Sequence, residues 1–196
     1  MRGDGPISAR VLIAGGAGLG LLMAGAAVGW IALLRQRSLG ALFPPAPWGA
    51  LAVGGLAGAA FAAAVWAAFR RTALLHNEVA VIDRLLDLRA LRWYHVVAIA
   101  LLAAVPEELL FRGALLPEVG VIVSAALFGL AHAVSWQYVV YAGLAGLLCG
   151  ALAEWTGGLW APIAAHAVID MMMFALLILM RPPGGWAAPG GAVDRD

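Results

Sequence analysis

The 196-residue chain contains no lysine, one cysteine and few charged residues: 12% are acidic or basic, against about 25% in ordinary soluble domains. A single cysteine, Cys149, excludes an intramolecular disulfide, and its apolar setting reads as small filler. No Cys/His cluster has zinc-finger spacing, and the twelve arginines form no stripe suited to nucleic acid. What remains is apolar. Hydrophobic residues make up 64% of the chain and the mean hydropathy is +0.94. A bilayer core of about 30 Å needs about 20 apolar residues per helix, and several such runs are present. The chain reads as an all-α, polytopic integral membrane bundle in a lipid bilayer.

Six spans are expected: Ala9 to Leu34, Trp48 to Phe69, Trp93 to Leu116, Val119 to Val134, Trp136 to Trp155, and Gly158 to Met180. The first is longer than a signal-peptide core and lacks a clear cleavage site. Between the second and third lies "TALLHNEVAVIDRLLDLRALRW", where Leu74, Leu75, Val79, Ile82, Leu85, Leu86 and Leu91 recur at helical spacing among charged residues. This is an amphipathic helix on the membrane surface or against the bundle, too charged to span. The division is residues 1–92, two spans and the amphipathic helix; 93–181, a helical core; and 182–196, a disordered Pro/Gly-rich tail, all in one membrane domain.

Arginine placement sets the orientation. Nine of the twelve fall on the side shared by both termini and the amphipathic helix, two on the other side, and Arg112 lies within a span. Both termini are therefore expected to be cytoplasmic. Four Gly-x-x-x-Gly pairs, at Gly16, Gly25, Gly54 and Gly146, permit close helix approach. Trp48, Trp93, Trp136, Trp155 and Trp160 fall near span ends, as an aromatic belt requires.

Against this background seven ionisable residues stand out: Glu107, Glu108, Arg112, His132, Glu154, His166 and Asp170. Each costs about 2.5–3.5 kcal/mol to insert, which makes each a functional candidate. Glu154 sits beside Trp155 at a span end and reads as interfacial, and Glu118 reads as a loop residue. Glu108 and Arg112 are four apart, about 40° on the helical wheel, and suit an ion pair along one face. Glu107 points about 100° away and is left available. A free carboxylate in a low-dielectric cavity is a stronger base. Pro106 removes a backbone donor just before it and is expected to kink the helix. Phe128 and His132 are four apart, as are His166 and Asp170, so three helices can point Glu107, His132, His166 and Asp170 at one cavity.

Three words now form a recognisable set. "EELLFR" fits Glu-Glu-x-x-x-Arg, "FGLAH" fits Phe-x-x-x-His, and "HAVID" fits His-x-x-x-(Asn/Asp). In this order and spacing, from Pro106 to Met172, the chain resembles the CPBP intramembrane proteases. That family contains the type II CAAX prenyl endopeptidases and the bacterial Abi, bacteriocin-processing proteins. The resemblance implies an intramembrane endopeptidase in which Glu107 and His132 activate a water and His166 with Asp170 stabilises the oxyanion. Glu108, Arg112 and Phe128 support the site. It further implies a membrane-bound protein or peptide substrate, no required cofactor, and residence in a bacterial inner membrane.

Asp170 departs from the commoner asparagine, which can donate a hydrogen bond to an oxyanion where an ionised aspartate cannot. Asp170 can instead be protonated, orient His166, or join Glu107, His132 and His166 as ligands of a divalent metal such as zinc. Two other classes of function are weighed against the protease: an idle membrane scaffold using the same residues for packing, and a proton-coupled transporter relaying through Glu107 and His132. The lack of internal repeats and paired broken helices argues against transport.

Overall fold

The structure, a computed structural model, describes residues 6–36, 38–72, 76–182 and 184–186. These form α1 (Ala9–Gly29, extended by a π-helical turn Trp30–Leu34), α2 (Trp48–Arg71), α3 (His76–Leu85), α4 (Trp93–Glu108), α5 (Leu116–Ala131), α6 (Trp136–Thr156) and α7 (Trp160–Leu179). A π-helical segment, Leu109–Leu115, joins α4 to α5 without a break. No strand occurs among the described residues beyond a single bridge between Ile7 and Leu86. The protein is an all-α integral membrane bundle.

Among the described residues, five helical stretches are long and apolar enough to cross a membrane. Four match the expected spans closely. The fifth runs unbroken from Trp93 to Ala131, 39 residues, and contains both the third and the fourth expected spans. It is not straight. Gly120 adopts φ +78°, a conformation glycine takes readily and other residues avoid. Ser124 Oγ donates to the Phe111 carbonyl at 3.0 Å, and the Phe111 and Phe128 rings lie 4.9 Å apart. Thirteen residues of straight helix would separate the first pair by about 20 Å. The chain therefore doubles back at Gly120, and the returning arm is a short helix ending at Ala131, just before His132.

Close approach explains the glycines that matter. A Cβ on Gly54 or Gly58 of α2 would overlap the Ala161 or Ala165 backbone of α7. Gly129, Gly146 and Gly150 serve the α5–α6 contact in the same way. Gly16, Gly25 and Gly29 face open space within the chain. Trp48, Trp93, Trp136 and Trp155 are all exposed on the outer surface, as belt residues should be. Trp160 instead anchors inward, its Nε1 donating to the Pro44 carbonyl at 3.0 Å.

The amphipathic helix is shorter than its periodicity suggests. It ends at Leu85, because Asp87 Oδ1 accepts from Ala90 N in a side-chain-capped turn and Ile7 N takes the Leu85 carbonyl. Positions 73–75 of the expected helix lie outside the described residues. α3 packs against the bundle, burying Val79 and Ala80 together with Glu78. The segment after α7 docks on it: Asp83 accepts from Arg181 Nε at 2.5 Å and Trp186 N at 2.8 Å, and the Trp186 ring meets Phe69 and Trp66. Residues 184–186 of the segment expected to be a disordered tail, 182–196, are thus placed against the bundle, and residues 183 and 187–196 lie outside the described residues. Ile7, α3 and Arg181 consequently share one face of the bundle.

Two outcomes follow. Gly58→Val should destabilise the protein by about 1–3 kcal/mol through overpacking, whereas Gly49→Ala, with nothing within 4 Å, should be neutral; thermal unfolding in detergent compares them. Burial pushes the Asp83 carboxyl up, but Arg181 and the Trp186 N–H outweigh it and hold the group below its ordinary value. That anchor is present above the ordinary aspartate range and is lost as pH falls through the lowered value. Protection factors of the α3 amides should therefore fall at acid pH, and Asp83→Asn should show low protection already at neutral pH.

Candidate active site

Four elements meet around Glu108. Its side chain is fully buried and its Oε1 accepts from Arg112 Nη1 at 2.8 Å, the ion pair expected from the four-residue spacing. The same oxygen lies 2.8 Å from His166 Nδ1 on α7, a contact the spacing could not show. A carboxylate only accepts, so His166 Nδ1–H is the donor. Arg112 is 3% exposed; its Nη2 donates to the Gly146 carbonyl of α6 at 2.9 Å and its Cζ lies 4.6 Å from the Phe128 ring centre. Glycine at 146 keeps that carbonyl reachable because α5 approaches closely there. Glu108 Oε2 and Arg112 Nε find no hydrogen bond, so the pair is satisfied on one side only.

Pro106 does not interrupt α4. The helix continues through it and widens at Leu109–Leu115, where each carbonyl is bonded five residues on. Gly20 of α1 allows Pro106 to approach: a Cβ there would sit 3.1 Å from the proline Cγ. A cleft of about 300 Å³ between α1 and α4 reaches Glu107 along this side.

Glu107 is the unpaired carboxylate. Its Oε2 is buried with no hydrogen-bond partner. It lies 3.7 Å from His132 Nε2 and 3.8 Å from His166 Nε2, too far for direct bonds. His132 follows the last residue of α5, and its Nδ1 lies 2.8 Å from the Phe128 carbonyl, which can only accept. The neutral ring therefore carries its proton on Nδ1 and turns a lone pair on Nε2 toward Glu107. Asp170 Oδ2 lies 3.7 Å from His166 Nε2. Glu107, His132, His166 and Asp170 are thus brought together.

Phe128 is the hub of this arrangement, with its ring 4.5 Å from that of His132, 5.7 Å from His166 and under the Arg112 guanidinium. Sequence reasoning missed Tyr138 and Tyr141, which line the cavity shared by His132, His166 and Asp170; their three-residue spacing in "WQYVVY" was the available signal. Cys149 lines the same cavity, buried, with Sγ 3.8 Å from the Pro162 carbonyl. Glu154 is exposed at the end of α6. Glu118, read as a loop residue, opens α5 and pairs with Arg35 at 3.3 Å. Among the described residues no three His, Cys, Asp or Glu side chains are arranged to hold a metal ion.

A membrane helix bundle enclosing three carboxylates, two imidazoles and a buried arginine defines an intramembrane polar site. Residues 89–172, which contain every one of these groups, match the model of the Rce1-like family, the type II CAAX prenyl endopeptidases. It is also 28% identical over 117 residues to the uncharacterized protein YpbD of Bacillus subtilis (strain 168), an alignment covering 47% of this chain and 62% of the relative. The chain thus spans less than two thirds of that relative's length. No solved structure matches it.

Removing one partner of a buried ion pair leaves the other charge uncompensated, at a cost of about 3–5 kcal/mol. Arg112→Met should therefore unfold or strongly destabilise the protein, read as lost folded yield and a lowered melting temperature in detergent.

Proposed function

We propose that the protein is an intramembrane endopeptidase that hydrolyses a peptide bond in a membrane-proximal or C-terminal segment of a membrane-bound protein or peptide. The supporting observation is the buried, unpartnered Glu107 Oε2 within 3.8 Å of both imidazole Nε2 atoms. Water held between these groups loses a proton to Glu107 while its oxygen attacks the scissile carbonyl. The His132 Nε2 lone pair, fixed by the Nδ1–H bond to Phe128, orients that water. The carbonyl oxygen gains charge as the tetrahedral adduct forms. His166 meets it with an Nε2–H donor, present when the ring is doubly protonated and balanced by Glu108 on Nδ1 and Asp170 beside Nε2. Asp170 is then a counter-charge, which accounts for an acid where a neutral donor is commoner. Collapse of the adduct breaks the C–N bond, and the proton on Glu107 passes to the departing amine.

The reading needs no cofactor. It places the α3 face at the cytoplasmic side of a bacterial inner membrane, on the arginine distribution. General-base removal costs about 10²–10⁴-fold in rate. Glu107→Gln and His132→Ala cells should each accumulate the unclipped form of a membrane protein that wild-type cells process, detected by comparative proteomics of membrane fractions. Processing at wild-type rate in both strains would refute the mechanism.

A further inference from the structure

The charged residues of α3 are expected to face water, yet Glu78 is 6% exposed. Its Oε1 accepts a hydrogen bond from the Ser135 hydroxyl, 57 residues away. Ser135 is no ordinary surface serine. It caps the N-terminus of α6, its Oγ accepting from Tyr138 N at 3.1 Å and its carbonyl from Val139 N at 2.9 Å.

Between this cap and the end of α5 lie only His132, Ala133 and Val134. His132 leaves helical geometry at φ −104°, ψ 28°, and the turn closes through His132 N to Gly129 O and Val134 N to the His132 carbonyl. The turn that presents the His132 ring is therefore held at two ends. One is the Nδ1–H bond back to Phe128; the other is the Ser135 hydroxyl fastened to α3. α3 is a firm post because Asp83 ties it to Arg181 and Trp186. Glu78 also walls a cavity with Tyr138 and Asp170, so it borders the reacting groups without reaching Glu107 or His132.

We propose that Glu78 is a positioning residue for His132, acting through the Ser135 hydroxyl, so that α3 is a working part of the site. The inference rests on the protease reading. A hydroxyl donating to a buried carboxylate is directional, unlike apolar packing, and it fixes the turn in rotation as well as in place. Loss of this hold lets His132 Nε2 drift from its 3.7 Å relation to Glu107.

The test uses the full-length protein in liposomes and the membrane protein whose clipping depends on Glu107. Ser135→Asp keeps a good helix cap and sets a second carboxylate against Glu78. It should lower kcat by about 10- to 100-fold, the scale of an ångström-level misplacement, with KM within about twofold. Glu78→Gln alone keeps an acceptor oxygen but weakens the bond by removing its charge, and should lower kcat by less than Ser135→Asp does. Added to Ser135→Asp, it supplies an amide donor for the new carboxylate and should restore kcat. Melting temperatures of all variants separate fold from turnover. An unchanged kcat in Ser135→Asp, no recovery in the double variant, or losses that only track melting temperature would each overturn the positioning role. Absence of cleavage by the wild-type protein would instead overturn the protease reading, and this inference with it.

Discussion

The Glu108–Arg112 ion pair is the interaction on which the rest of the site depends. Two charges in a low-dielectric core each cost several kcal/mol of lost hydration, and mutual attraction repays this only when further hydrogen bonds are made. Here the additional partners come from different helices: the Gly146 carbonyl of α6, His166 of α7, and the Phe128 face of α5. The cost of burying the pair is thus offset by contacts that lock four elements in register. The close glycine-mediated approaches of α5 to α6 and α2 to α7 are what let those partners reach.

The pair also divides labour between adjacent carboxylates. Glu108 is committed to Arg112 and His166, which fixes the His166 ring and leaves its Nε2 facing the cavity. Glu107, one residue earlier, is turned to the other imidazole face with no bond of its own. The widened turn after Glu108 and the fold-back at Gly120 bring Phe128 and His132 to the level of the glutamates. A straight 39-residue helix could not do so. The family match over 89–172 covers these elements together.

Much of this was legible in the sequence, and the residues show why. Span positions follow from apolar length, and the Glu108–Arg112 and His166–Asp170 relations follow from four-residue spacing. Relations between helices were less accessible. That Glu108 would serve His166 as well as Arg112 depends on the packing of α4 against α7, which no local periodicity encodes. Glu78 was read with the polar face of α3, because moment-like patterning cannot tell a solvated acid from one meeting a distant serine. The end of α3 at Leu85 likewise came from a side-chain turn at Asp87 and from Ile7, far off in sequence.

The central claim is that of two neighbouring glutamates one sustains the fold and the other performs the chemistry. It is tested most directly by comparing Glu107→Gln and Glu108→Gln in one membrane preparation, measuring melting temperature and product formed per folded molecule. The account predicts that Glu107→Gln melts like the wild type and forms no product, while Glu108→Gln melts well below it. Equal melting losses in the two variants, or turnover retained by Glu107→Gln, would contradict it.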